Sequence, residues 1–445
     1  MATAADRIAA SGIDFSTFGK ATDLKKRLIF TVGALIVFRL LSFIPIPGVD
    51  PQALAGLFSR QQGGVLDFFN TFSGGALQRM SVTALNVTPY ITASIIVQLL
   101  TSLIPSFVAL KKEGEAGRKK LNQYTRFGTV ALAAAQGFGV ATWLEASNVV
   151  MDPGILFEVM AVVTIIGGTM FLMWIGEQIT SRGIGNGVSL IIMAGIVAHL
   201  PVSLAGLFEQ VSTGQFSGGL LILILVGGLA VVAFICFMER AVRKILIQYP
   251  KRQVGNRMFQ GDSSHLPLKI NTSGVIPPIF ASSLLLMPLT IAQLFGQQKD
   301  GPEWLVSVTT LLQHGAPLFM ALYAGGIIFF SFFYTAVVFN PEETADNLKK
   351  YGGFIPGRRP GQQTAHYLDY VLTRLTVIGA AYLTFVCLLP EFLQRELAIP
   401  FYFGGTSLLI VVNVTMDTVS QIQSHLLAHQ YEGLIKKARL RGGRR

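Results

Sequence analysis

Charge is what this chain has least of. Asp, Glu, Lys and Arg make up 13% of its 445 residues, where a soluble domain carries about a quarter. Cysteine is nearly absent as well. Cys236 and Cys387, its two cysteines, both fall inside apolar stretches. They form neither a disulfide framework nor the paired thiols of a metal site. The chain has no HExxH, no GxSxG and no phosphate-binding glycine-lysine loop. Its six histidines, His199, His265, His314, His366, His425 and His429, are scattered along the sequence. Nothing argues for an enzyme, so no catalytic residue, metal ligand or cofactor is expected. The first 27 residues are polar and charged without a cleavage pattern before an apolar run, so no removable signal peptide is expected.

What the chain does have is apolar length. Half of it is hydrophobic (51%) and the mean hydropathy is +0.54. Ten apolar runs recur, at roughly 28–44, 82–104, 127–147, 155–179, 188–206, 218–238, 270–292, 317–339, 375–390 and 401–425. A hydrocarbon core about 30 Å thick needs about 20 such residues per helix. A soluble core explains one or two buried helices, not ten. The expected class is therefore an all-α polytopic membrane protein with ten transmembrane helices.

The few charges fix an orientation. With the N-terminus inside, the inner segments 1–27, 105–126, 180–187, 239–269, 340–374 and 426–445 hold 30 of the 35 Lys and Arg residues. The outer segments hold Arg60, Arg79, Lys299 and Arg395, and Arg39 lies within the first run. Acidic residues divide far more evenly. This is the positive-inside pattern, so the net charge of +11 is chiefly a topology signal. Basic loops of this size could also meet a charged partner.

Two local features suggest more than a bundle. Residues 70–100 read NTFSGGALQRMSVTALNVTPYITASIIVQLL. The second half is a good membrane helix, but the first is half-polar, with Gly74-Gly75 and a lone Arg79. The second and seventh runs also share a pattern, P-x-I-x-A-S, at Pro89–Ser94 and Pro277–Ser282. They lie five runs apart, an odd number, so the two halves of the chain would be inverted repeats. Such repeats place a site near the midplane. A carrier of ions or solutes needs polar groups there, yet Val87 and Ile91, four apart on one helix face, flank Pro89 with apolar side chains. A solute transporter thus stays open but disfavoured, and an intramembrane enzyme lacks a catalytic pair.

Longer stretches are more specific. FRLLSFIPIPGVD (38–50), FSGGALQR (72–79), KKEGEAGRKK (111–120), TMFLMWIGEQITSRGIGNGVS (169–189), HLPLKIN (265–271), FFYTAVVFNPEETADNLKKYGGFIPGRRPG (332–361) and PFYFGGTSLLIVV (400–412) resemble the SecY/Sec61-alpha family of protein-conducting channels over almost the whole chain. The resemblance implies two inverted five-helix halves, 28–206 and 218–425, around an hourglass pore. They would be hinged at the external loop 207–217, between a cytoplasmic segment 1–27 and a basic cytoplasmic tail 426–445.

It implies a short plug helix at about 65–81, with Phe72, Ser73, Gly74, Gly75 and Arg79 in the matching motif. It implies a pore ring of Val87, Ile91, Ile192, Ile279 and Ile410, with Val87 where Ile is commoner and Asn86 where a small residue is expected. It implies a lateral gate between the second and seventh helices with a polar cluster of Thr92, Gln136 and Asn271. The cytoplasmic loops 239–269 and 340–374 would dock a SecA motor or a ribosome, including its RNA, through Arg252, Arg257, Arg358 and Arg359. The implied location is the bacterial inner membrane, with both termini cytoplasmic. The implied partners are SecE, SecG, SecA, the ribosome, signal sequences, nascent polypeptides and membrane lipids, with YidC and SecDF as further ones. No nucleotide-binding loop is present, so energy would come from a partner.

Overall fold

The computed structural model describes residues 22–60, 70, 73–214, 217–250, 252–254, 257–259, 263–285, 316–397 and 405–442. The helices are α1 (Thr22–Leu41), α2 (Pro51–Arg60), α3 (Thr88–Leu103), α4 (Pro105–Lys112), α5 (Glu115–Ala146), α6 (Ile155–Arg182), α7 (Gly187–Ser212) and α8 (Gly218–Arg240). They continue with α9 (Ile276–Leu285), α10 (Pro317–Val338), α11 (Pro341–Lys350), α12 (Gln362–Leu397) and α13 (Gly405–Gly442). Each of the ten apolar runs holds one of these helices. Among the described residues six helices are long and apolar enough to cross a membrane, and α3 with α4 makes a seventh if that bent pair is one span. The chain is a multi-pass membrane protein of helical class. The polar ends of α1 and α13 (Lys25-Lys26-Arg27 and the Gln- and Ser-rich stretch from Ser420) keep those two out of the apolar set.

Prolines set the helix boundaries. The second run was expected to be helical from 82, but residues 82–87 are turns and α3 starts at Thr88. Pro89 lies in its first turn, where the missing N–H costs nothing, and Asn86 ahead of it has a φ of +50°, which Asn tolerates better than most side chains. The other end is set by Pro105. Ile104 before it is extended, with φ −102° and ψ 123°, because proline disfavours helical backbone in its predecessor. The chain turns by 97° there into α4. The P-x-I-x-A-S pattern opens both α3 and α9, each of which starts one residue before its first proline.

The helices pack around several apolar cores. α5 runs along α6 and α3, α10 along α12, and α7 against α6 and α13. Ile46, Leu77, Met80, Leu144, Phe157 and Ile165 form one core. At the opposite end of α1 the turn between α6 and α7 is pinned from both sides. The Ile184 amide donates to Thr31 Oγ1 at 3.1 Å, and the Gly185 amide donates to Gln421 Oε1 of α13 at 2.8 Å.

One addition to the all-α expectation appears in the segment 239–269. Strands β1 (Val242–Gln248) and β4 (Ser263–Lys269) form an antiparallel ribbon, and β2 (Arg252–Val254) pairs with β3 (Arg257–Phe259) beyond it. Ile245, Ile247 and Leu268 point inward while their neighbours on the strand are exposed, the period-two alternation of a half-buried strand. Gln248 and Phe354 then exchange two main-chain hydrogen bonds of 2.9 Å. Ile245 and Leu268 share a core with Ile355, Leu368, Val371 and Leu375. The two basic loops are therefore one packed body.

Candidate pore, plug and gate

The five ring positions converge. Val87, Ile192 and Ile410 are buried in one apolar cluster, and Ile91 and Ile279 are half-buried against it. They arrive from the start of α3, from α7, α9 and α13. Backbone geometry sets their spacing. The Ile91 amide donates to the Val87 carbonyl at 3.0 Å, the first helical bond of α3, with Val87 as its N-cap residue. Ile196 lies in the same cluster, four residues after Ile192, as Ile91 lies four after Val87. Ile196 is not among the five expected positions, and this repeated i, i+4 spacing is the signal in the sequence that points to it. Phe38 of α1, Leu172, Ile175 and Ile179 of α6, Leu190 and Ile191 of α7 and Val414 of α13 lie in the same cluster. A closed contact of aliphatic side chains has no preferred partner and resists ions by excluding water.

Beside the cluster lies part of the segment 65–81 that was expected to form a plug. Phe72 falls outside the described residues. Residues 73–80 are turns and bends and Ser81 pairs with Pro45 in a single bridge, so this part of 65–81 is not the expected helix. The reason is local: Gly74, Gly75 and Met80 have φ of +66°, +82° and +43°, which a right-handed helix excludes. Asn70 organises the turn. Its carbonyl accepts from the Gly75 amide at 2.8 Å and from Ser73 Oγ at 3.1 Å, and its Oδ1 accepts from the Gln78 amide at 2.9 Å. The chain is then tethered to the segment after α1: the Ile46 amide donates to Met80 O and the Val82 amide to Ile44 O.

The seam between α3 and α9 is apolar. Ile95 is buried in a cluster with Phe280 and Ala281, and Ile91, Val275 and Ile276 pack against the same group. The expected polar cluster is not assembled there. Thr92 Oγ1 donates to Thr88 O of its own helix at 3.1 Å, and Gln136 is half-buried on α5. Asn271 is committed elsewhere: its Nδ2 donates to Glu239 Oε1 at 2.6 Å and to Gly274 O at 3.1 Å, and its Oδ1 accepts from Ser273 Oγ at 3.1 Å. A buried amide takes the strongest acceptor in reach, and the carboxyl group at the end of α8 is that acceptor.

The four arginines lie on the paired loops in two places. Arg252 and Arg257 lie on β2 and β3, opposite Phe259 and Val254. Arg358 and Arg359 are exposed on the turn before α12. Arg358 lies over the Tyr367 ring at 5.3 Å, and the main chain of Arg359 is held by Gln363 and Thr364. The Arg359 side chain is thus presented from a fixed turn.

The sequence profile of the family described as SecY matches residues 81–419. The Protein translocase subunits SecY of Vibrio cholerae and Escherichia coli K12 are each 55% identical over 436 residues, covering 97% of this chain and 98% of theirs. The chain belongs to the SecY family. Its fold matches a solved structure described as "The structure of a protein conducting channel", with a TM-score of 0.65 at 18% identity, covering 90% of this chain and 92% of that one. A second solved structure, described as "The plug domain of the SecY protein stablizes the closed state of the translocation channel and maintains a membrane seal", matches with a TM-score of 0.64.

Proposed function

We propose that this chain is the central subunit of a protein-conducting channel. It passes unfolded secretory polypeptides across the bacterial inner membrane and releases membrane-protein helices sideways into lipid. It acts as a conduit and not as an enzyme. The observation that carries the reading is the convergence of Val87, Ile91, Ile192, Ile279 and Ile410 in one apolar cluster with the turn 73–79 seated beside it. A ring of aliphatic side chains can part around any sequence and close again, which a polar solute site cannot do.

The remaining assignments follow the same reading. Ten crossings form halves 28–206 and 218–425, joined at 207–217, with both termini cytoplasmic. α3 and α9 are the two sides of the lateral gate. The body made by 239–269 and 340–374 receives SecA or the ribosome through Arg252, Arg257, Arg358 and Arg359. Energy comes from those partners, and SecE and SecG complete the complex.

The test is a crosslink. A photoreactive residue replaces Ile91, and a secretory precursor is stalled halfway across the membrane. The expected result is a strong adduct between position 91 and the mature part of the precursor. Verified stalling without an adduct would remove the ring assignment and return the chain to solute-flux assays.

A further inference from the structure

Arg39 has no role in the reading above, yet it is expensive. A guanidinium within a membrane segment is costly to insert, and such residues mark function. Arg39 sits in the last turn of α1, directly after Phe38 of the ring cluster. The plain reading is that it caps the helix end and reaches for the interface. The structure gives it a specific target instead.

Arg39 Nη1 donates to the Gly74 carbonyl at 2.7 Å. Arg79 Nη2 donates to the same oxygen at 3.1 Å. Both guanidinium groups lie over the ring of Phe43, at 4.9 and 4.2 Å. Among the described residues the salt bridges are Arg27–Asp23 and Arg126–Glu177, so neither Arg39 nor Arg79 is paired with a carboxylate there. Gly74 also faces α7, in the same narrow space as the Arg39 guanidinium. A Cβ built on it would lie 2.9 Å from both the Cα and the carbonyl oxygen of Gly195, between Ile192 and Ile196. The turn is therefore pressed onto the backbone of a ring-bearing helix, and the Gly74 carbonyl attaches it to α1, in addition to the main-chain bonds of Met80 and Val82 to the segment after α1.

We propose that Arg39 is a positioning residue, a latch that holds the turn 73–79 in its seat beside the ring. The inference rests on the channel reading. The latch is strong in one way and weak in another. A charged donor on a carbonyl is among the better hydrogen bonds, and the Phe43 face attracts both cations. The two cations also repel each other, and only the shared oxygen and the ring offset that repulsion. Once the Arg39–Gly74 bond breaks, Arg79 keeps its own bond to that oxygen and its place over Phe43, but the repulsion between the two cations is less fully offset and favours departure of the turn with Arg79. Such a device favours two states, seated and released, over gradual loosening.

The test uses the reconstituted complex with Ala76→Cys as reporter, in a background lacking Cys236 and Cys387. Ala76 is fully buried in the seated turn, so an impermeant maleimide reads its release. Arg39→Gln is expected to raise the labelling rate and the resting ion conductance by roughly tenfold, the scale of losing a hydrogen bond to a charged group. Arg39→Lys is expected to restore part of the protection. Gly74→Ala, which leaves the α1 sequence intact and drives a methyl group against both Gly195 and Arg39 Nη1 at a residue with φ of +66°, is expected to act in the same direction and serves if Arg39→Gln does not accumulate. Unchanged labelling and conductance in these variants, with the precursor adduct at position 91 intact, overturns the latch alone. Absence of that adduct in the unsubstituted chain overturns the channel reading and the latch with it.

Discussion

Gln248 and Phe354 are joined main chain to main chain, each amide donating to the other's carbonyl at 2.9 Å. This one exchange ties the ribbon of 239–269 to the segment before α12. Together with the shared apolar core it joins the two loops, which the proposed function makes the docking surface.

That link can be cut without touching a side chain in the shared core. Phe354→Pro removes one amide donor, since proline has no N–H. The ribbon is expected to detach and become sensitive to limited proteolysis between 242 and 269, while the apolar helices stay resistant. Binding of a motor or ribosome is expected to weaken even though no arginine has changed. Proteolysis equal to that of the unsubstituted protein would show that the apolar core of Ile245, Leu268, Ile355 and Leu368 suffices to join the loops.

A second prediction concerns Gly168 of α6. A Cβ there would overlap the Val82 carbonyl, so the turn leading into α3 lies directly on the glycine. The contact is with backbone, and no rotamer change can relieve it. Gly168→Ala is expected to cost roughly 1–3 kcal/mol, the usual scale of overpacking, seen as a lowered unfolding midpoint in detergent. It is also expected to displace Val87 from the ring, seen as a raised resting conductance.

The Glu239–Asn271 pair gives a third. Both side chains are buried, at 6% and 3% exposure. Asn271→Leu leaves a buried carboxyl group short of a partner, which is expected to cost about 1.5–3 kcal/mol. Glu239→Gln keeps an acceptor and is expected to cost less. Replacing both by Leu is expected to recover part of the loss, because no polar group is then stranded. A thermal double-mutant cycle measures the coupling; additive losses would mean that the 2.6 Å contact contributes little.

The sequence showed the helices well and the contacts between them poorly. Each of the ten apolar runs holds a helix because a membrane span must satisfy its backbone internally, which writes length and composition into the chain. The break at Ile104-Pro105 was readable in principle from its proline. The ribbon was not read because VRKILIQ and SSHLPLK look like basic loops until β1 and β4 are paired. The ring positions came from the resemblance alone, since an aliphatic residue that seals a pore does not differ in type from one that packs a core. The polar partner of Asn271 was also out of reach. Glu239 lies 32 residues earlier and reads, in sequence, as one more charge at the edge of a span.

The last prediction concerns the α3–α9 seam. Ile95, Phe280 and Ala281 share one buried cluster, and the polar residues expected to latch the seam are not bonded across it. Apolar side chains at this seam compete with lipid tails and signal-sequence side chains of the same chemistry, so their grip is van der Waals contact and carries no direction. A hydrophobic segment can then replace α9 on α3 at little net cost, which is what sideways release requires. Cysteines at positions 95 and 281, in a background lacking Cys236 and Cys387, are to be joined by a cleavable bismaleimide. Transport of a secretory precursor is expected to stop on joining and to return on cleavage. Polar substitution of Ile95, for example Ile95→Asn, is expected to loosen the seam and to let precursors with weak signal sequences pass. Full transport with the crosslink quantitatively in place would mean that polypeptides do not need this seam to open.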